Sequence, residues 1–274
     1  MQASKHAKIS LVDAEDIIKQ HYTNTYDEDV RFQKDKAHRL EFLLTTHFID
    51  KYLKSGDKIL EIGAGTGAYS VHYAKQGYQV EAIELVERNI EIFKTKITPE
   101  MSVGVAQGNA LDLSRYADDS FDVVLLFGPL YHLFTKEDRE RAIGEALRVT
   151  KSNGLLYIAY LTNDSIIANY FLRKGHMDDL PKMIKDDSYR LVDKPDEKFA
   201  GYHIDEFEKL VDLPSYQRLH NVAVDGIGYA LREFVNELSD EQFEIWCDYQ
   251  LAICERPELQ GYSAHMLYVG RKTR

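Results

Sequence analysis

The residues with chemistry to offer gather at the ends of apolar runs. Lys58 to Gly67 reads Lys-Ile-Leu-Glu-Ile-Gly-Ala-Gly-Thr-Gly, a strand pattern that runs into three glycines spaced two apart. A strand that ends in such a loop and continues into a helix brings backbone N–H groups up against a ligand, because glycine has no Cβ to hold the ligand off. Glu61, two residues before the first glycine, offers a carboxylate to a cationic amine and is a poor neighbour for a pyrophosphate. Glu84 ends a second apolar run, seventeen residues past Gly67. An acid at such a strand tip can accept hydrogen bonds from both hydroxyls of a ribose. A later run, Ser120 to Phe127, delivers the chain to Gly128-Pro129-Leu130-Tyr131-His132-Leu133. His132 titrates in the range useful to a general base, and Tyr131 could orient a substrate or shield a cation with its ring face. Plainer readings stay open for each: glycines serving tight geometry alone, an acid facing water, a histidine bonded to backbone, a core tyrosine.

Spacing narrows the ligand. Dinucleotide-binding folds favour Gly-x-Gly-x-x-Gly, whose third glycine packs helix on strand; here it comes one residue too early. That spacing, with Glu61, counts against a nicotinamide oxidoreductase.

The elements that must position these residues follow from periodicity. Residues 13–24 and 36–53 read as helices, the second with Leu40, Leu43, Leu44, Phe48 and Tyr52 on one stripe. Strands are expected at 58–62, 78–84, 101–107, 120–127, 155–160 and 216–224, with helices at 69–75, 86–94 and 137–149 between the first five. This alternation argues a parallel sheet. Asn153-Gly154 should turn into the fifth strand. From Thr162 to about Phe199 the pattern changes to helical fragments with scattered aromatics, an insertion expected to pack over the substrate side. Asp205–Val211 is helical; Ser239-Asp-Glu-Gln242 is a capping-box pattern opening a last long helix, and Ser263–Gly270 is an apolar strand. The expected divisions are a helical cap at 1–54, a core at 55–161, a helical lid at 162–202 and the remainder of the core at 203–274.

Composition sets bounds. With 274 residues, 44% of them hydrophobic, the chain can bury a large α/β core without staples. A formal net charge of -11 gives no electrostatic footprint for nucleic acid and favours small substrates. Cys247 and Cys254 are seven apart on a helical pattern, about 10 Å by helical rise, too far to bridge, and are expected reduced in a cytoplasmic protein. No apolar run nears the roughly 18 residues needed to span a membrane. No His-Glu-x-x-His or paired-cysteine spacing marks a metal site.

Glu61-x-Gly63-x-Gly65-x-Gly67 resembles the first motif of the class I S-adenosylmethionine-dependent methyltransferases, and the resemblance covers most of the chain, strongest from Lys58 to Leu133. It implies a Rossmann-like α/β fold: a seven-stranded, mostly parallel sheet with an antiparallel last strand, joined by N-terminal helices and a helical insertion. It implies S-adenosyl-L-methionine as cofactor, held by Glu61, Gly63, Ala64, Gly65, Gly67, Glu84, Leu85, Asn109, Ala110 and Phe127. Tyr22, Tyr26 and Arg31 in the front segment are placed near the cofactor's carboxylate. The family usually has Asp where Asn109 stands, accepting from the adenine amino group; Asn109 can still accept through its amide oxygen. Gly128 to His132 should lie beside the transferable methyl group, with His132 and Tyr131 as catalytic residues. Gly128-Pro-Leu-Tyr131 compares with the Asn-Pro-Pro-Tyr of base-modifying methyltransferases, but Gly128 has no side chain to accept from a base amine. The string Gly128–Leu133 looks like that of a bacterial subgroup, which Trp246, Cys254-Glu255-Arg256-Pro257 and Ser263-x-His265 also fit. The implied activity is methyl transfer to a small-molecule acceptor, by in-line displacement, without nucleic acid, membrane or metal. The alternative is a non-catalytic S-adenosylmethionine-binding sensor or scaffold. Neither the acceptor nor the oligomeric state is legible.

Overall fold

The structure is a computed structural model that describes residues 11–24, 28–194 and 198–273, with side chains from Ala14 onward. Tyr26 lies outside the described residues. Two helices, α1 (Leu11–Asn24) and α2 (Lys36–Asp50), precede the sheet. Then β1 (Lys58–Ile62), α3 (Ala68–Lys75), β2 (Gln79–Glu84), α4 (Glu87–Thr95) and β3 (Val103–Gln107) follow in strict alternation. Next come β4 (Phe121–Leu126), α5 (Lys136–Val149) and β5 (Thr150–Leu161). The insertion holds α6 (Asn163–Ile166), a π-helical turn (Ile167–Arg173) and α7 (Leu180–Met183). The chain closes with α8 (Ile204–Leu210), β6 (Tyr216–Ala223), α9 (Arg232–Glu237), α10 (Asp240–Ile253), α11 (Pro257–Gln260) and β7 (His265–Lys272).

The seven strands form one sheet in the order β3-β2-β1-β4-β5-β7-β6. β1 pairs parallel with β2 and β4, β2 with β3, and β4 with β5, whereas β7 runs antiparallel to β5 and β6. The order reverses between β1 and β4, and in open α/β sheets the ligand crevice lies at such a reversal, beyond the C-terminal strand ends.

The central strands are apolar throughout because both faces are covered. Leu60 and Ile62 of β1 and Val124 and Leu126 of β4 pack with Ala142, Ile143 and Ala146 of α5 and Phe207 of α8. Alternate residues, Ile59, Val123 and Leu125, pack on the other face with Leu40, Leu44 and Phe48 of α2 and Phe243 of α10. Leu40, Leu44 and Phe48 of the α2 stripe are thus buried and Leu43 is half-buried, whereas the helix ends at Asp50, short of Tyr52; Asp35 caps that helix by accepting from the His38 N–H at 2.9 Å. At α10 the capping box forms in both directions: Gln242 N–H donates to Ser239 Oγ at 3.2 Å, and Ser239 N–H to Gln242 Oε1 at 2.8 Å.

The fifth strand differs from its sequence reading. It starts at Thr150, which pairs with Phe121, before the ladder resumes at Val123 and Leu155. The residues between, 151–154, bulge out of it with Asn153 at φ 64°, so the expected turn is a loop within a strand. The insertion keeps a small core of its own, Phe171, Leu180 and Leu191, and returns against the turn after β4, where Ala200 N–H donates to the Tyr131 carbonyl at 2.8 Å. Cys247 and Cys254 are free thiols. No helix among the described residues is long and apolar enough to cross a membrane.

The ends of β1 and β4 meet so closely that a Cβ on Gly63, at φ 82°, would overlap the Phe127 carbonyl and stand 2.6 Å from Pro129 Cδ. Gly63→Ala should therefore cost roughly 2–4 kcal/mol, the sum of a left-handed backbone strain and a forced shift of the β4 end. A urea unfolding curve measures this, and an unchanged midpoint would contradict it.

Candidate functional site

A cavity of about 940 Å³ opens at the reversal point, beyond the ends of β1, β2 and β4. Its walls carry most of the residues singled out in the sequence: Glu61, Gly63, Ala64, Gly65, Glu84, Leu85, Asn109, Ala110, Phe127, Tyr131 and His132, with Tyr22 and Arg31 from the front segment. Gly67 is the exception; a Cβ there, at φ 82°, would enter the Phe93 ring of α4, so this glycine serves the packing of α3 on α4.

The loop does not present the donors expected of it. The N–H groups of Gly63 and Ala64 both donate to the Ile83 carbonyl, at 2.8 and 3.1 Å, and that of Gly67 donates to Ala64 at 2.8 Å. Gly65 N–H donates to Glu84 Oε2 at 2.8 Å. Four N–H groups are thus satisfied inside the protein, and the loop offers a ligand its shape and the acids around it. A phosphate would find no cradle here.

Glu84 itself accepts three hydrogen bonds, from Gly65 N–H at one oxygen and from Val86 N–H (2.9 Å) and Asn89 Nδ2 (3.2 Å) at the other. Burial raises its pKa against those bonds. Glu61 is 2% exposed. Ser70 donates to its Oε2 twice, from the backbone N–H at 2.9 Å and from Oγ. Burial outweighs both bonds and pushes Glu61 up to about 8, aided by the nearby charges of Glu84 and Glu28. Glu28 is also raised, first by burial, with Arg31 opposing and Glu41 and Glu84 adding to it. The cavity therefore holds acids in search of a cation.

Asn109 departs from its expected use. Its Oδ1 accepts from Leu111 N–H at 2.9 Å, closing a local turn, while its Nδ2 donates to Glu15 of α1 at 2.5 Å. The amide oxygen is engaged by its own chain, and the outward-facing acceptor at this end is Glu15. Arg31 places Nη2 2.6 and 2.7 Å from the two Glu41 oxygens and Nη1 3.4 Å from Glu28. The same Nη2 lies 3.2 Å from His265 Nε2, and His265 Nδ1 lies 2.7 Å from Asp225 Oδ2. Burial works against the charged form of His265, but Glu41 and Asp225 overcome it and raise its pKa.

His132 is held from both sides: Nδ1 is 2.7 Å from the Lys198 carbonyl and Nε2 is 3.0 Å from the Tyr22 hydroxyl. Burial depresses its pKa to about 4. Tyr131 packs beside it, ring centroids 4.8 Å apart. Tyr22 is thus committed to His132.

Helix α1 roofs the cavity with Glu15, Ile18 and Tyr22, three residues at i, i+3 and i+7 on one face. Sequence reading missed Glu15, because a single apolar residue among three gives no stripe. It also missed Glu28, Glu41 and Asp225. For Glu41 a signal existed: Glu41 and Thr45, a polar pair four apart, border the apolar stripe of α2, and both are buried. No group of three or more His, Cys, Asp or Glu among the described residues could hold a metal ion.

Sheet order, glycine loop and acid-ended second strand together define the Rossmann-like fold of class I methyltransferases. Residues 60–158 match a family described as a methyltransferase domain. Over 165 residues the chain is 26% identical to the glycine/sarcosine N-methyltransferase of Aphanothece halophytica, covering 56% of this chain and 60% of that protein. It is 33% identical over 105 residues to the demethylmenaquinone methyltransferase of Renibacterium salmoninarum, covering 38% and 41%. The matches thus span 60% and 41% of these two relatives, less than two thirds of each. Among solved structures, one from Thermotoga maritima, described as an S-adenosylmethionine-dependent methyltransferase and possible histamine N-methyltransferase, has a TM-score of 0.55. It is 21% identical and aligned over 94% of this chain and 99% of that one. The likeness shows the fold.

Glu61 makes stability depend on pH. Its folded pKa of about 8 lies above its ordinary 4.5, so its preference for the neutral form supports the fold fully below about pH 4.5 and is lost as pH rises toward 8. Glu61→Gln should therefore lose less stability in urea between pH 5 and pH 9 than the wild type does. Equal losses would place Glu61 near its ordinary pKa.

Proposed function

We propose that the protein is an S-adenosylmethionine-dependent methyltransferase acting on a small-molecule acceptor. The carrying observation is that one cavity runs from Glu84, Glu15 and Asn109 at one end to Tyr22, Tyr131 and His132 at the other. Its volume lies at the upper end of the range for small-molecule sites, room for a nucleoside and a second ligand together.

The residues present fit the cofactor. Glu61 and Glu28 suit its cationic amino-acid portion, Glu84 retains lone pairs for ribose hydroxyls, and Leu85 and Ala110 offer apolar surface to a base whose amino group Glu15 can accept. Gly63, Ala64, Gly65 and Phe127 shape the wall between, and Arg31, held by Glu41 and Glu28, lies on the same wall. Bound there, S-adenosylmethionine supplies a methyl group on a sulfonium. The protein's share is alignment and exclusion of water, for which α1 and the described part of the insertion, with Lys182, Lys185 and Val192 on the cavity wall, serve as covers. His132 and Tyr131 border the acceptor space as the catalytic pair. The acids also give a reason for cofactor choice, since a cation relieves their mutual repulsion whereas a pyrophosphate adds to it. The small molecules named for the relatives, glycine and sarcosine for one and demethylmenaquinone for another, agree with an acceptor of that size. The space continuing to His132 counts against a non-catalytic sensor, which needs no acceptor room.

Isothermal titration with S-adenosylmethionine and its demethylated product tests this reading. Heat is expected with both; none with either, while NADH binds, would sink it. Glu84→Ala should weaken cofactor binding by roughly 1.5–3 kcal/mol, the range for hydrogen bonds to a charged group, and an unchanged affinity would remove Glu84 from the site.

A further inference from the structure

Resting on the methyltransferase reading, we propose that the acceptor carries an anionic group, a carboxylate or a phosphate monoester, and that Lys185 and Lys194 of the insertion, with Lys182 beside them, form the subsite that receives it.

The cavity is charged unevenly. Glu15, Glu28, Glu41, Glu61 and Glu84 line the part built by α1, the front segment, α2, β1 and β2. Four lysine and arginine side chains stand on its wall. One, Arg31, is held by Glu41 and Glu28; the other three, Lys182, Lys185 and Lys194, all come from the insertion. Two further acids on the wall, Asp138 and Asp193, have cations or donors of their own. Asp138 accepts from the Thr135 hydroxyl at 2.6 Å, and Asp193 lies 2.9 Å from Arg139 and 3.3 Å from Arg190. Lys182 pairs with Asp179 at 2.7 Å, both side chains mostly in solvent, where such a pair holds its partner weakly. Among the described residues the ammonium groups of Lys185 and Lys194 have neither a hydrogen bond nor an ion pair.

The lysines stand on a built support. Lys185 N–H donates to the Arg190 carbonyl at 2.7 Å and Val192 N–H to the Met183 carbonyl at 2.8 Å, with Ile184 bridged antiparallel to Leu191. The arm that carries Lys182 and Lys185 is thereby laid alongside the arm that carries Lys194. Met183, Ile184 and Leu191 pack with Phe171 and Leu180 in the insertion's own core. Asp193, next to Lys194, is tied through Arg139 to α5, the helix whose first turn and cap, Asp138 and Thr135, lie on the same cavity wall.

Charge then decides the class of acceptor. The chain carries a net -11, so an anion is repelled from most of its surface and from the acids of the cavity, and is admitted where the local sign is reversed. Three ammonium groups on one wall repel one another, and an anionic group relieves that repulsion while accepting charge-assisted hydrogen bonds. A neutral acceptor gains nothing from them, and a cationic one is opposed. The subsite grips the acceptor away from its nucleophile, so it sets orientation and takes no part in the displacement.

Calorimetry on the full chain saturated with the demethylated cofactor tests this. The ligands are two matched sets: benzoate, phenyl phosphate, benzamide and benzylamine, and hexanoate, hexyl phosphate, hexanamide and hexylamine. In at least one set an anion should bind about 10-fold or more tightly than the amide and the amine, the yield of a hydrogen bond to a charged group, and the carboxylate-to-phosphate ratio tells which anion the subsite takes. Lys185→Glu combined with Lys194→Glu should remove that advantage while leaving the affinities for the amide and for the demethylated cofactor unchanged. In the wild type, added salt should erode the same advantage. An amide or amine as the tightest ligand in both sets, no binding by any anion, an advantage that survives the double substitution, or one indifferent to salt overturns the proposal. Failure of the methyltransferase reading shows separately, as absence of heat with either form of the cofactor.

Discussion

A buried carboxylate shapes the glycine loop from behind. Glu84, at the end of β2, accepts the Gly65 N–H, and the preceding carbonyl, Ile83, accepts from Gly63 and Ala64. The loop after β1 is therefore stitched to the end of β2 by the protein's own groups, and its form does not wait on a ligand. Everything around the cavity depends on that stitching. It sets the turn into α3, whose Ser70 holds Glu61, and it leaves the ligand to be recognised by charge and contact. The same constraint explains why Glu28, Glu61 and Glu84 can share one pocket. Each is held in place by N–H or hydroxyl donors, or by an arginine, that offset part of its burial without removing its preference for a cation.

Much of the fold was legible because it rests on periodicity and on continuous apolar runs. β1 and β4 are covered on both faces, so their sequences carry unbroken hydrophobic stretches, and the stripe of α2 announces its own burial. Boundaries shifted where turn geometry competed with pairing: residues 151–154 bulge out of β5 because Asn153 takes a left-handed conformation within the ladder. The site was legible to a lesser degree and for a physical reason. Spacing marked where the chain leaves the sheet, and thirteen of the fifteen expected site residues line the cavity. Spacing did not say what each polar group spends its hydrogen bonds on. The loop N–H groups, the Asn109 amide and the Tyr22 hydroxyl all have partners inside the protein that are remote in sequence or need the fold to be found.

The contacts among the polar groups of one cavity wall were not legible in the sequence. Arg31, Glu41, His265 and Asp225 come from the front segment, α2, the start of β7 and the turn after β6, and form one chain of contacts at the cavity. No local motif can announce a network whose members are up to 234 residues apart. Its members are costly to bury singly and tolerable together, since each charge faces an opposite one. The network binds the front segment to the far half of the sheet and so makes the cavity wall one piece.

Helix α1 has a mechanical consequence. Glu15 meets Asn109 at one end of the cavity and Tyr22 meets His132 at the other, about 10 Å apart along a single helix by its rise. A short helix tilts as a rod and does not bend freely, so the two ends are levers on one beam. Whatever raises or lowers Glu15 repositions the hydroxyl over His132, and occupancy at one end of the cavity is felt as alignment at the other.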